Sequence, residues 1–525
     1  MADKTSLIEE KSPIIILLTL FSWLGLVLIS WSYYYVTVPI NYGFWLWMLF
    51  QSFHFWWAIL WLWGIHNFWY LTLSSLSHDN SLSGIHNINS EPSVAILYTT
   101  YDDFDPIACK SCLEQTYSKT HLYICDDSKD HHIISDIDLF VRNFNEEKIT
   151  VIRRNNNDGF KAGNLNYALQ NFVNEPFFLI CDADEFIPHS FVAEGLKYFN
   201  DPNVAFVQAS HVTRHDPKTK FADILGLSTN IFYNYWFPLR NKFGFVSCFG
   251  HGVLIKKEVW RAIEAFPEVV TEDLTFASKA LRYGMRGYFA KNLIAEEAFP
   301  ENYKAFLAKT LKIISGTIEF FRTEYPKVLM SSRVSFTEKM DILFTYSSCF
   351  FGVIAMFNFL SGMVLSYIYM NQGWDYLNPW VFIVYLISPF TPIVPLIINT
   401  IRDPIKYIRF LFIATLSFGS SIPLMAHSSI QCILKLTKPV FNITGMVAKE
   451  RQNIWEYKYL GLFGLFFLIF SLLVKQPGYE ASVCFSLIFI CGPMLIYFDK
   501  DTIIGMISRI VSVFPWLVFI YLILN

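Results

Sequence analysis

"FFLICDADEF", residues 177–186, runs from apolar side chains straight into Asp182, Asp184 and Glu185. Apolar runs of this kind are buried, whereas ionised carboxylates are buried only when paired or bound to a metal. The stretch therefore reads as a strand whose carboxyl end opens into a site. Asp182 and Asp184 stand two apart, so on extended backbone their side chains point the same way. Two carboxylates side by side repel, and a divalent cation relieves the repulsion. Oxygen ligands suit Mg2+ or Mn2+, and Mg2+ commonly bridges a carboxylate to a substrate phosphate, which makes a nucleoside diphosphate the natural ligand. A solvated turn accounts for the same acids equally well.

The neighbouring sequence gives this strand a context. "SVAILYTT" (93–100), "HLYICDDS" (121–128), "KITVIRR" (148–154) and "VAFVQAS" (204–210) are further short apolar runs. Between them "IACKSCLEQTY" and "NLNYALQNF" have helical spacing. Strand and helix in alternation predict a parallel, doubly wound α/β sheet, with ligands at the carboxyl ends of the strands. Tyr101 and Asp103, Asp126 and Asp127, and Asp182 and Asp184 collect at those ends. No G-x-x-x-x-G-K-[ST] is present, and no G-x-G-x-x-G follows a strand, which argues against ATP hydrolysis and NAD chemistry. "NNNDGFKAGN" places Lys161 beside two glycines, as suits a loop meeting phosphate or sugar. In "VVTEDLTFASKALRYG" (269–284), Glu272 and Asp273 open an amphipathic helix. They serve either as helix-terminal acids favoured by the dipole or as a general base facing an acceptor hydroxyl.

The rest of the chain is membrane-like. Of 525 residues, 53% are hydrophobic and 18% aromatic, and mean hydropathy is +0.35. Net charge is -3, so no basic surface points to nucleic acid. A spanning helix needs about 20 apolar residues. Runs at 13–37 and 44–73 qualify, followed after a polar stretch by 342–371, 379–401, 405–434, 457–474, 480–498 and 503–524. Two N-terminal helices (1–75), a polar domain (76–335) and a C-terminal membrane region (336–525) result. The first run continues into a second span, so it reads as an anchor and not as a cleaved signal. Lys435, Lys438, Lys449, Arg451 and Lys458, like Arg402, Lys406 and Arg409, mark cytoplasmic loops. Both flanks of 405–434 then lie on one side, so that segment is expected to re-enter or to lie along the interface. The polar domain falls on the cytoplasmic side. Trp56 and Trp63 share a helical face, for an interfacial belt or for stacking on sugar. Cys109 and Cys112 form a C-x-x-C with no second pair at zinc-site spacing, so a core-facing helix explains them better than a metal.

Taken in order, "YTTYDD", "CDDS", "GFKAGNLNYAL", "CDADEF", "FGHGVLIKK" and "TEDLTF" resemble the family-2 glycosyltransferases, in particular the membrane-embedded processive cellulose, hyaluronan, chitin and β-glucan synthases. The resemblance covers roughly residues 90–325. It implies an α-helical transmembrane protein with an inserted cytoplasmic GT-A, Rossmann-like domain, in the plasma (inner) membrane. Thr99, Tyr101 and Asp103 match the first nucleotide-binding motif, with Asp103 where the family often has Glu. Asp126 and Asp127 match the pair that holds uracil and ribose, and Lys161 matches a Lys-Ala-Gly segment lining the UDP site. Asp182 and Asp184 match the D-x-D that holds nucleotide and metal (Mg2+ or Mn2+). Asp273, beside Glu272, matches the catalytic base. "SCFGHGVLIKK" (247–257) resembles the acceptor-pocket segment, which puts Gly250 and His251 on the acceptor side; a structurally satisfied histidine is the alternative.

Processive members carry Q-x-x-R-W after the base helix, where this chain has "KTLKIISG". Lys309 and Lys312 fall at the polar positions, and Lys312 would replace the Arg as a point charge. Ile313 falls where the aromatic platform is expected. "KPVFNITGMVAKE" (438–450) resembles the gating loop of cellulose synthases, with Phe441 and Thr444 in place and Met446 where Lys is expected. The implied activity is inverting, processive transfer of hexose from a UDP-sugar, foremost UDP-glucose, to a growing, exported β-glucan of capsular or exopolysaccharide type. A UDP-N-acetylhexosamine donor, or single transfer to a polyprenyl or other lipid acceptor, are the alternatives. A scaffold or transporter that no longer catalyses is disfavoured, because all three expected acids are present.

Overall fold

The computed structural model describes residues 10–37, 43–76, 91–144, 146–214, 219–370, 404–436, 453–474 and 479–524. The expected gating loop with Phe441 and Thr444, and the expected span 379–401, lie outside them.

The apolar runs form strands β1 (Val94–Thr100), β2 (Thr120–Asp126), β3 (Ile149–Arg153), β4 (Phe177–Asp182) and β5 (Val204–Thr213), joined by β6 (Val253–Lys256) and β7 (Arg286–Glu297). They make one sheet in the order β3-β2-β1-β4-β6-β5-β7. β1 is buried along its whole length, as a continuous apolar run predicts for a strand covered on both faces. Its residues alternate between two cores. Ala95 and Leu97 pack with Ala162, Leu165, Phe276 and Ala280. Val94, Ile96 and Tyr98 pack with Cys109, Cys112, Ile137 and Phe140. The C-x-x-C pair thus faces the core from the Pro106–Leu113 helix. Truncating a side chain such as Leu179 here would cost about 2–5 kcal/mol.

β1 to β4 are mutually parallel, and the order reverses between β1 and β4. That reversal opens a crevice at the carboxyl ends. There Thr99 lies opposite Cys125 on one side and Asp182 on the other. The sheet is mixed, however, and not wholly parallel. β6 runs antiparallel between β4 and β5, while β5 and β7 are parallel. The direction of β6 has a positional effect: Ile180 pairs with Val253, so the residues entering β6 arrive beside the residues leaving β4.

Four helical stretches among the described residues are long and apolar enough to cross a membrane: Ile14–Ser32, Phe336–Leu365, Ile405–Ile433 and Ile454–Val474. A 33-residue helix, Phe44–Leu76, forms over the expected second span. Its polar and Trp residues lower its hydropathy, and it is not one of the four. Segment 405–434 is a single continuous helix, Pro404–Ile433, despite Pro423. It therefore does not break and turn back as a re-entrant segment would. The run 503–524 divides into Ile503–Val511 and Phe514–Leu524.

The sheet domain is keyed to these helices by polar contacts. Arg240 is fully buried, 3.3 Å from Asp341 and with its guanidinium 4.0 Å from the Trp236 ring centre. Asp341 also accepts from Tyr70 Oη at 2.9 Å and Phe245 N at 2.7 Å, and lies 3.3 Å from His66 Nε2. Asp499 Oδ1 accepts the N–H groups of Lys220 and Phe221 at 2.8 and 3.2 Å. Lys406 pairs with Asp223 at 2.8 Å.

Candidate active site

The crevice floor is built around Asp182. Gly159, at φ 71°, turns the chain into the Phe160–Asn171 helix, and Lys161 sits in its first turn. Lys161 Nζ pairs with Asp182 Oδ1 and donates to the Gly250 carbonyl at 2.9 Å. Thr99 Oγ1 donates to the same Asp182 oxygen at 3.0 Å. Burial raises the Asp182 carboxyl, but Lys161 and His251 outweigh it and hold the group below the usual carboxylate range.

Asp184 differs. Its side chain reaches the crevice mouth, exposed, and its carboxylate has no hydrogen-bond partner among the described residues. Although the side chain is exposed, desolvation by the crevice walls, and next the charge of Asp182, push it up to about 7. An unneutralised carboxylate beside an ionised one is a donor set that fits a divalent cation. Asp184 is the acid free to hold it, with Asp182 behind it already engaged by Lys161.

At the carboxyl ends of β1 and β2 the acids are also tethered. Arg153 Nε donates to Asp126 Oδ2 at 2.7 Å, and Asp126 Oδ1 accepts Ser128 N at 2.9 Å. Arg154 grips Asp127 with two bonds, at 2.8 and 2.6 Å. Asp103 closes the turn after β1, accepting Thr100 Oγ1 at 2.9 Å and Tyr101 N at 2.8 Å. Sequence reasoning missed both arginines. The signal was the Arg-Arg at the end of "KITVIRR", because parallel pairing sets Arg153 opposite Asp126.

Glu272 and Asp273 begin the Glu272–Arg282 helix. Both lie against Gly250: a Cβ placed there would stand 3.4 Å from Asp273 Cβ and 3.6 Å from Glu272 Oε1. Burial, and then the charge of Asp273, raise Glu272 to about 7 against the pull of Lys161 and Lys312. Burial also raises Asp273, against Leu274 N–H, Lys161, Lys312 and His251. Lys312 joins this group, its ammonium lowered by burial and supported by Glu272. Lys309 does not: its Nζ stands 5.8 Å from the Phe299 ring centre. Ile313 is 52% exposed. The Glu272–Arg282 helix is seated on the Tyr303–Thr323 helix, where Thr271 Oγ1 donates to the Gly316 carbonyl at 3.1 Å. A Cβ on Gly316 would meet Thr271 Cγ2 at 2.5 Å.

His251 enters from the loop before β6. Its Nδ1 lies 3.3 Å from Glu185 Oε1 and its Nε2 3.4 Å from Glu297 Oε2. Burial lowers its pKa, but Glu185, Asp182 and Glu297 outweigh burial and raise it to about 10. Glu185, Glu297 and His211 are further residues of the site that the sequence left unassigned. One crevice therefore brings together Thr99, Lys161, Asp182, Asp184, Gly250, His251, Glu272, Asp273 and Lys312: an exposed carboxylate without a counter-charge, a half-buried pair of acids, and three cationic groups to offset charge.

Comparison with known proteins bears on this arrangement. Residues 108–312 match the family described as Glycosyltransferase like family 2. The chain is 24% identical over 298 residues to the UDP-forming cellulose synthase 1 catalytic subunit of Komagataeibacter xylinus, covering 53% of this chain and 38% of that one. It is 23% identical over 260 residues to a probable glycosyltransferase of Sulfolobus acidocaldarius, covering 48% and 52%. The chain thus spans 38% and 52% of these two relatives. Among solved structures, a mannosyltransferase of Pyrobaculum calidifontis in complex with GDP-Man and Mn2+ aligns at TM-score 0.47 and 16% identity, covering 74% of this chain and 98% of that one.

Proposed function

We propose that this chain, whose residues 108–312 match a glycosyltransferase family-2 model, is a processive, inverting polysaccharide synthase. It takes hexose from a UDP-sugar, foremost UDP-glucose, and extends a β-glucan that leaves through its membrane helices. The observation that carries this reading is the meeting of two motifs far apart in sequence. Asp182 binds Lys161, Lys161 binds the Gly250 carbonyl, and Gly250 lies against Asp273.

The chemistry follows from that order. Asp273 removes the proton of the acceptor hydroxyl as its oxygen bonds to the anomeric carbon and the bond to the diphosphate breaks. Lys161 and Lys312 offset the charge that develops on the leaving diphosphate. Asp126 and Asp127, fixed by Arg153 and Arg154, border the nucleoside side. A Mg2+ or Mn2+ held by Asp184 with Asp182 would supply further positive charge to the diphosphate. Lys and Arg in the loops support a cytoplasmic catalytic domain, and a plasma-membrane setting goes with an exported capsular or extracellular glucan.

The exposed Ile313 favours a second reading, single transfer to a polyprenyl or other lipid acceptor, because no aromatic platform stands at that position. Incubating the purified protein with single UDP-sugars, UDP-N-acetylhexosamines included, and Mg2+ or Mn2+ separates the two. A polymer that resists solvent extraction supports synthesis; one glycolipid supports the second reading. Asp273→Asn should abolish transfer, a loss of at least about 100-fold, while leaving UDP binding intact by calorimetry. Full turnover in that variant removes Asp273 as the base.

A further inference from the structure

Glu185, the last acid of "CDADEF", has no task in the chemistry above, yet it is fully buried. An uncompensated buried carboxylate is costly, and this one is saturated. Its Oε2 accepts the backbone N–H of Gly252 at 3.0 Å and of Asp182 at 3.3 Å. Its Oε1 lies 2.9 Å from His211 Nε2 and 3.3 Å from His251 Nδ1. Burial pushes its carboxyl up, but the two histidines hold it far below the usual range. Gly252 is at φ +54°, and a Cβ there would stand 2.5 Å from His211 Nε2 and 2.6 Å from Glu185 Oε1. Only glycine lets the loop close onto the carboxylate.

We propose that Glu185 is a positioning residue for sugar transfer: one buried carboxylate ties the Asp182 turn to the Gly250–Gly252 loop and fixes the His251 ring in the crevice. The proposal rests on the transferase reading above. It gives the donor and acceptor sides one shared pin, since the same oxygen bonds the backbone of both. Glu185, His211 and His251 also place ligand atoms within 4.8 Å of one another, a spacing that a metal ion could bridge. His211 argues against that use. Its Nδ1 is buried and finds no hydrogen-bond partner among the described residues. A metal on Nε2 would put the ring proton on Nδ1, leaving a buried N–H unsatisfied, whereas a hydrogen bond to Glu185 leaves only a bare lone pair.

The test uses the full chain in nanodiscs. Glu185→Gln should lower kcat on the order of 100-fold, the scale of an ångström-sized misplacement, with donor KM little changed. The double variant with His251→Ala should be no slower than His251→Ala alone, because both changes remove one coupling. Amide exchange in the 247–257 peptide should quicken in Glu185→Gln while the β1 peptide keeps its protection. If Glu185→Gln does not fold, Glu185→Asp, which keeps charge but shortens reach, should show the same split. Wild-type kcat, multiplicative losses in the double variant, unchanged exchange, or a stoichiometric transition metal lost with the substitution would each overturn the proposal. Should the wild type transfer no sugar at all, the transferase reading falls, and exchange alone still decides whether Glu185 pins the loop.

Discussion

Asp182 and Asp184 are separated by a single alanine and have opposite electrostatics. Lys161 and His251 hold Asp182 below the usual carboxylate range, whereas desolvation and the charge of Asp182 raise Asp184 to about 7. Glu272 and Asp273 form a second pair, and two interacting acids titrate together. A base acts when deprotonated, so kcat/KM should rise with pH along a limb set by this pair. Glu272→Gln removes a like charge beside Asp273 and so favours its ionised form. The acid limb should therefore move to lower pH in a pH–rate profile; an unmoved limb means that the two acids do not act as a pair. The aspartates and Lys161 were legible in the sequence because each stands at or just beyond a strand end or at a helix start, whereas Lys312, within the Tyr303–Thr323 helix, came from the family resemblance. Glu185 was not, because His211 and His251 lie 26 and 66 residues away and only folding brings them to it.

At the level of elements, β1 to β5 were readable from apolar runs bounded by polar residues. β6 has four residues and β7 mixes Lys291 and Asn292 into its apolar pattern, so neither announced itself. Nor does strand–helix alternation reveal that β6 runs backwards, which is what carries Gly250–Gly252 to the end of β4. The Glu272–Arg282 helix, with the proposed base, depends on another contact that sequence does not show, the close approach of Thr271 to Gly316. Gly316→Val should force the two helices apart and lower kcat on the order of 100-fold by misplacing Asp273. UDP affinity should hold, since the nucleotide-side acids sit on the far strands. A Gly316→Val enzyme with normal kcat would mean that this seat does not set the position of the base.

Across the whole molecule, sheet domain and membrane helices share buried charges. Asp341→Ala would leave the Arg240 guanidinium buried without its counter-charge, a loss of about 3–5 kcal/mol. A large drop in thermal midpoint in detergent would register it; an unchanged midpoint would show the pair to be dispensable. The Tyr303–Thr323 helix joins the same two worlds by another route. Tyr303 Oη meets Ser420 Oγ at 2.6 Å, inside the apolar bundle, and Gly316 meets Thr271 at the crevice. The thirteen residue steps from Tyr303 to Gly316 span roughly 20 Å of rigid helix. A fragment cut before Tyr303 would keep all seven strands and still lose the seat beneath Asp273. Extraction from lipid that loosens the bundle, well short of melting the sheet, is then the step at which the protein falls silent.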